Sequence, residues 1–327
     1  MQRTKLLALI LAAPVLGGGG LAAAAESASA YPSRPVRLMV PNAPGSSVDT
    51  LSRIVAAGLS EVLGQQVVID NRAGAAGVIA MEIAKDATPD GYTLISATTA
   101  ASTIARLLQK KPTFHPVTDY DYVVQFAETP NVLVVNPSVP VKSVKELIAY
   151  AKGKPNDFRM ASAGNGSQSH MSGAYFMQAA SMESLHVPYK GGGPSVAAVV
   201  GGESHWTITP APAVMSHVTA GRVRAIAHSL PKASPVFVNI PPIADTVPGF
   251  DYSGWQGFFF PKGTPRLIIQ KMRDAVVKTM ERPEVQKGMA FQATAIVIRE
   301  PAEFRKVVED SLVKNAKLVK SLGLTAN

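Results

Sequence analysis

No cysteine occurs anywhere in the 327 residues. That excludes a disulfide framework, a zinc site built on thiolates, iron–sulfur ligation and a cysteine nucleophile. Aromatic residues are scarce, at 6%, and few of them lie among the basic side chains. Those basic residues are scattered, so the net charge of +9 makes no stripe suited to a nucleic acid. After residue 30 no run of about 18 apolar residues occurs, so no later segment reads as a membrane span. Catalytic signatures are missing as well. The chain has no Walker A pattern, no H-E-x-x-H and no G-x-S-x-G elbow. Its six histidines, His115, His170, His186, His205, His217 and His228, show no i,i+4 pairing that would set two metal ligands on one helix face. Neither a metal nor a cofactor is expected.

What is present is a globular composition, 46% apolar against 17% charged. The length suits two domains. The first thirty residues read differently from the rest. Arg3 and Lys5 form a positive start, Leu6 to Leu16 is apolar, and Ala28-Ser29-Ala30 fits a small-x-small cleavage site. That apolar stretch is shorter than the roughly 20 residues a membrane helix needs. Residues 1–30 therefore read as a cleavable signal peptide, with a mature chain starting at Tyr31 and a periplasmic destination.

Strand-like and helix-like segments alternate through the rest. Val36 to Val40 reads as a buried strand. After it Leu51, Ile54, Val55, Leu59, Val62 and Leu63 form one helical stripe, ended by Gly64 at a C′ position. Further strands are expected at Val67–Ile69, Tyr92–Ala97, Val132–Val135, Phe158–Ala161, Val223–Ala227 and Tyr252–Phe260. Helices are expected near Val78–Lys85, Ser143–Lys152 and His170–Ala180, with Pro194 at N1 of a short one. Thr264-Pro265 reads as the start of a mostly helical C-terminal region. The β-turn-α-β rhythm signals parallel sheets covered by helices, in an α/β fold.

Two glycine-bearing loops each join a strand to a helix N-terminus. They are Pro41-Asn42-Ala43-Pro44-Gly45-Ser46-Ser47-Val48-Asp49 and Ser162-Ala163-Gly164-Asn165-Gly166-Ser167-Gln168-Ser169-His170. Glycine admits a ligand close to the backbone, and open N–H groups with the helix dipole favour an anion. The same features also fit ordinary strand–helix turns with capping serines. Gly164-x-Gly166 lacks the third glycine of a dinucleotide fingerprint. A Ser167/His170 pair assembled in space stays open as a hydrolytic alternative.

Several segments together resemble a known family. They are YPSRPVRLMVPNAPGSSVDTLSRIVAAGLSEVLGQQVVIDNRAGAAGVIAMEIAKDATPDGYTL, TPNVLVVNPSVPVKSVKELIAYAK, MASAGNGSQSHMSGAYF, HVPYKGGGPSVAAVVGG and VPGFDYSGWQGFFFPKGTP. In this order they are similar to the Bug receptors, the extracytoplasmic solute-binding proteins of tripartite tricarboxylate transporters. The resemblance implies a periplasmic-binding-protein fold, two α/β domains joined by two crossing strands with a ligand cleft between them. By it, residues 31–128 and 255–327 make the first domain and residues 129–254 the second. The crossings fall near Val123–Val135 and Tyr252–Pro261. It also implies that one ligand carboxylate is held on the first loop, through backbone N–H groups and water, at Ala43, Pro44, Gly45, Ser46 and Ser47. Thr98 and Thr99 supply a second wall. From the second domain come Ala163, Asn165, Gly166, Ser167 and Gln168, with Tyr189 and Lys190 from a further loop.

This chain departs from the family pattern in two places. Many relatives read G-G-x-V-D-x-x-x-D where Gly201-Gly202-Glu203-Ser204-His205-Trp206-Thr207-Ile208-Thr209 stands here, so His205 and Thr209 replace two aspartates. Ser46-Ser47 stands where Gly-Gly is usual. His205 and Thr209 thus join the candidate ligand-binding residues. The resemblance implies a non-catalytic, monomeric receptor that delivers a small carboxylate, a di- or tricarboxylate or an aromatic acid, to integral permease subunits. Docking of the liganded form on a sensor kinase is the alternative of another class, and a periplasmic hydrolase a third.

Overall fold

A computed structural model describes residues 30–154 and 157–324. The expected signal peptide lies, apart from Ala30, outside the described residues. In chain order the first elements are β1 (Val36–Val40), α1 (Ser47–Leu63), β2 (Val67–Asn71), α2 (Val78–Lys85) and β3 (Thr93–Thr98). A π-helical turn at Ala100–Ile104 leads into α3 (Ala105–Leu107), followed by the long strand β4 (Tyr120–Val135). Then come α4 (Val144–Lys152), β5 (Arg159–Ser162), α5 (Gln168–Ala179), β6 (Leu185–Pro188), α6 (Gly192–Val200) and β7 (Trp206–Pro210). The chain closes with α7 (Met215–Thr219), β8 (Arg224–His228), β9 (Ser253–Pro261), α8 (Arg266–Met280), α9 (Pro283–Phe291), β10 (Ala295–Arg299) and α10 (Pro301–Ser321).

The strands run in the order β2-β1-β3-β9-β4-β7-β5-β6, with β8 and β10 also paired to β4. Parallel pairs, β1 with β2 and β3 and β5 with β6 and β7, occupy the two flanks. The centre is antiparallel. Residues 120–130 of β4 pair with β9, and residues 131–135 pair with β7 and β8. One 16-residue strand thus belongs to both halves of the molecule. The chain enters the second half along β4 and comes back into the first as β9.

Each half has its own cores. Leu38, Leu51, Val55 and Leu59 pack with Phe126, Phe258 and the α8 residue Met272. Leu133, Phe158, Met171, Phe176 and Trp206 pack in the other half. Helix α10 ties the two together. Its Phe304 and Val308 are buried against Tyr122, Trp255 and Phe259, while Val319 is buried in the core that holds Trp206. Gln178 Nε2 also donates to Ser321 O at 2.9 Å.

The fold departs from the sequence expectations in a few places. The sheets are mixed rather than parallel, because β4 and β9 are antiparallel to their neighbours. Strands β6, β7 and β10 have four or five residues each, too few for a period-2 pattern to stand out. Pro194 is the third residue of α6 rather than its first, since Gly192 and Gly193 are already helical. Thr264 does not cap α8. Its Oγ1 donates to Pro261 O at 2.8 Å and closes the turn after β9, so α8 begins at Arg266 after Pro265.

Candidate functional site

Three helix N-termini open on one cleft. At α1, Ser46 is the N-cap, and its Oγ accepts the Asp49 N–H at 3.4 Å. Most N–H groups of the loop before it are already used. Ala43 N–H donates to Asn42 Oδ1 at 2.8 Å, Gly45 N–H to Asp49 Oδ2 at 2.9 Å, and Ser46 N–H to Ala43 O at 3.2 Å. The first-turn N–H groups of Ser47 and Val48 have no acceptor among the described residues. At α5, Ser167 is the N-cap and accepts the His170 N–H at 3.2 Å. Ala163, Gly164 and Gly166 N–H groups go to Ser169 Oγ, Ser162 Oγ and His170 Nδ1. Those of Asn165, Gln168 and Ser169 stay open among the described residues, as do those of Gly192 and Gly193 at α6. Open N–H groups and aligned helix dipoles give these ends a positive potential.

The cleft measures about 680 Å³. Of the residues expected from the sequence, Ser46, Ser47, Thr98, Ala163, Asn165, Ser167, Gln168, Tyr189, Lys190 and Thr209 line it. Gln168 is 8% exposed, and its Nε2 has no hydrogen-bond partner. No aspartate or glutamate lines the cleft among the described residues, and Lys190 is its one cationic side chain.

The other expected residues lie elsewhere. Ala43, Pro44 and Gly45 do not line the cleft; they face the Gly191–Gly193 turn of the other half. Thr99 is buried, and its Oγ1 accepts the Trp255 N–H at 3.0 Å. Gly166 is packed over Leu108. His205 stands outside the cleft, at the end of β7 remote from Thr209. Its Nδ1 accepts the Arg159 N–H at 3.0 Å, and its ring lies 5.3 Å from that of Phe158. Ser167 and His170 form a capping pair rather than a nucleophile and base. The His170 imidazole accepts from Gly166 and stacks on His186, with ring centroids 4.3 Å apart. Burial pushes His170 below the ordinary imidazole range.

Sequence reasoning missed the turn that forms another wall. Residues 73–78 line the cleft, and Gly74, Ala75, Ala76 and Gly77 all have positive φ. Left-handed alanines are uncommon and mark a held conformation. The R-A-G-A-A-G spacing was the available signal. Leu108, Gln109, Thr129, Trp255 and Gln256 also line the cleft. Gln256 is held from behind, donating to Ser96 Oγ at 2.8 Å and Val48 O at 3.2 Å.

The sequence pattern of the tripartite tricarboxylate transporter family receptor matches residues 51–324. Protein BugT of Bordetella pertussis is 33% identical over 325 residues, 99% of each chain. A structure described as R. palustris Rpa4515 with adipate superposes with a TM-score of 0.86 at 33% identity, over 90% of this chain and 98% of that one. MatC (Rpa3494) from Rhodopseudomonas palustris with bound malate gives 0.83 at 28% identity, over 88% and 100%. Among the described residues no helix is long and apolar enough to cross a membrane. The chain belongs to the tripartite tricarboxylate transporter receptor family, whose members are solute-binding receptors of the periplasm and not enzymes.

Proposed function

We propose that this protein captures a small carboxylate without an amino group, a di- or tricarboxylate or an aromatic acid, and delivers it as a monomer to integral membrane subunits of a tripartite transporter. One observation carries this reading: open N–H groups from three helix ends meet in a cleft that no acidic side chain lines among the described residues. Charge-assisted hydrogen bonds contribute about 1.5–3 kcal/mol each, so a few of them approach the roughly −8 kcal/mol of micromolar binding. Similar proteins bound to adipate and to malate support the same ligand class. Residues 31–128 with 255–327, and residues 129–254, are the proposed domains, with the cleft between them. Residues 1–30 are the proposed export signal.

A thermal-shift screen over mono-, di- and tricarboxylates tests the reading. A true ligand at 100 times its Kd should add about 2.7 kcal/mol of stability. Stabilisation by cationic or neutral solutes, with none by any carboxylate, would reject it.

A further inference from the structure

Asp49 is 2% exposed and does not line the cleft, yet it organises the loop that does. Its Oδ2 accepts the Gly45 N–H at 2.9 Å, and its Oδ1 accepts Asn71 Nδ2 at 2.9 Å. Arg53 Nε reaches Oδ1 at 3.1 Å and Oδ2 at 3.0 Å, one helical turn further along α1. The network extends outward from there. Asn71 Nδ2 also donates to Asn42 O at 2.9 Å, and Arg53 Nη2 donates to Asn71 Oδ1 at 3.1 Å. Three donors thus converge on one buried carboxylate, and two of them hold residues 42 and 45 of the loop.

An acid beside an anion site is a liability unless it is neutralised. Burial pushes the Asp49 carboxyl up, but the bonds from Arg53, Asn71 and Gly45 outweigh that and hold it below the usual carboxylate range. It is therefore ionised at neutral pH. Its position two residues after Ser47 sets a negative charge close to the open N–H groups of Ser47 and Val48. Arg53, with a side chain 52% exposed, supplies the opposite charge. From the sequence alone Asp49 reads as a residue that complements the dipole of α1. The contacts give it a second task.

We propose that Asp49 is a positioning residue for the ligand: its carboxylate engages the Gly45 N–H, so that the loop leaves the N–H groups of Ser47 and Val48 facing the cleft, and Arg53 cancels its charge so that an anionic ligand is not repelled. The inference rests on the carboxylate reading given above. Without Arg53 the carboxylate charge is uncompensated, and its repulsion of an anion is screened by salt. A residue that only stabilises the fold has no such salt signature.

The test is titration calorimetry with adipate on the wild type, Asp49→Asn, Arg53→Met and the double variant, at low and high ionic strength. Amide hydrogen exchange at Gly45 is followed without ligand. Asp49→Asn should weaken adipate binding roughly tenfold or more, the range for losing a charged hydrogen-bonding group. Arg53→Met should bind adipate weakly at low salt and regain affinity as salt rises, and the double variant should lose that salt response. Undiminished affinity in Asp49→Asn, or a wild-type salt profile in Arg53→Met, would overturn the proposal. If the wild type takes up no adipate, the ligand reading fails for that acid, and the exchange arm still decides the positioning. Gly45 should exchange faster in Asp49→Asn, and unchanged protection contradicts it. Should Asp49→Asn not fold, Asn71→Ala replaces it in both arms with the same expected losses.

Discussion

Gly193 lies so close to Pro44 that a Cβ built on it would stand 2.7 Å from the Pro44 carbonyl oxygen. Its neighbours are as tightly placed. A Cβ on Gly191 would meet Ala43 Cβ at 2.8 Å, and one on Gly192 would meet Ser46 Cα at 3.2 Å. The two partners belong to different halves of the molecule, the loop after β1 and the N-terminus of α6. Three consecutive glycines are what let the two backbones touch across the mouth of the cleft. Gly193→Ala should therefore obstruct this contact while each half still folds, because position 193 has no positive φ. The expected outcome is carboxylate affinity lowered at least tenfold and loss of ligand-induced compaction in small-angle scattering. Wild-type affinity in this variant would show that the contact does not matter to closure.

The second half carries a built-in response to acid. His186 and His170 stack face to face, and His186 Nε2 lies 2.6 Å from Ser162 Oγ. Burial, and then the charge of His170, push His186 down to about 4 from an ordinary 6.5. The unfolded chain therefore takes up its protons first as pH falls. The stability from the neutral ring is complete above about pH 6.5 and is lost progressively towards pH 4. Urea midpoints measured across this range should fall for the wild type and fall less for His186→Gln. Parallel profiles for the two proteins would show that His186 does not carry the acid response.

Much of the first half was legible in the sequence because its patterns are local. The stripe Leu51-Val55-Leu59, the capping Ser46 and the left-handed Gly64 fix α1 to within two residues. Helix α2 matched the expected span Val78–Lys85. Contacts between residues far apart were not legible. Nothing near Gly45 announces that its N–H turns back to Asp49, which is why the loop read as a cradle of open N–H groups centred there. His205 looked like a ligand residue because it replaces an aspartate of the relatives. Its ring instead sits just before β7, at the end of the strand away from Thr209, and packs on Phe158, which only the register with β5 decides. Thr209, four residues on, does reach the cleft.

The C-terminal helix should contribute to the cleft from a distance. Phe304 is 0% exposed and lies edge-on to Trp255, with ring centroids 5.1 Å apart; Trp255 itself lines the cleft. Phe304→Ala should cost about 3–5 kcal/mol, as large aromatic deletions from cores do. Ligand affinity should drop as well, because Trp255 loses its backing. Denaturant unfolding and calorimetry on the same preparation check both effects.

Export is tested by mass. Protein expressed in a Gram-negative host and recovered from the periplasm should begin at Tyr31. A recovered chain that retains Leu6 to Leu16 would contradict the proposed signal peptide.

The cleft is built for carboxylates and, among the described residues, presents no carboxylate of its own to an ammonium group. An unpaired charge in a closed cleft is costly, and Asp49, the acid adjoining it, is already engaged by Arg53, Asn71 and Gly45. Isothermal titration of matched pairs, glutarate against glutamate and succinate against aspartate, measures this directly. The acid lacking the amino group should bind more tightly in each pair. Tighter binding of glutamate or aspartate would contradict it.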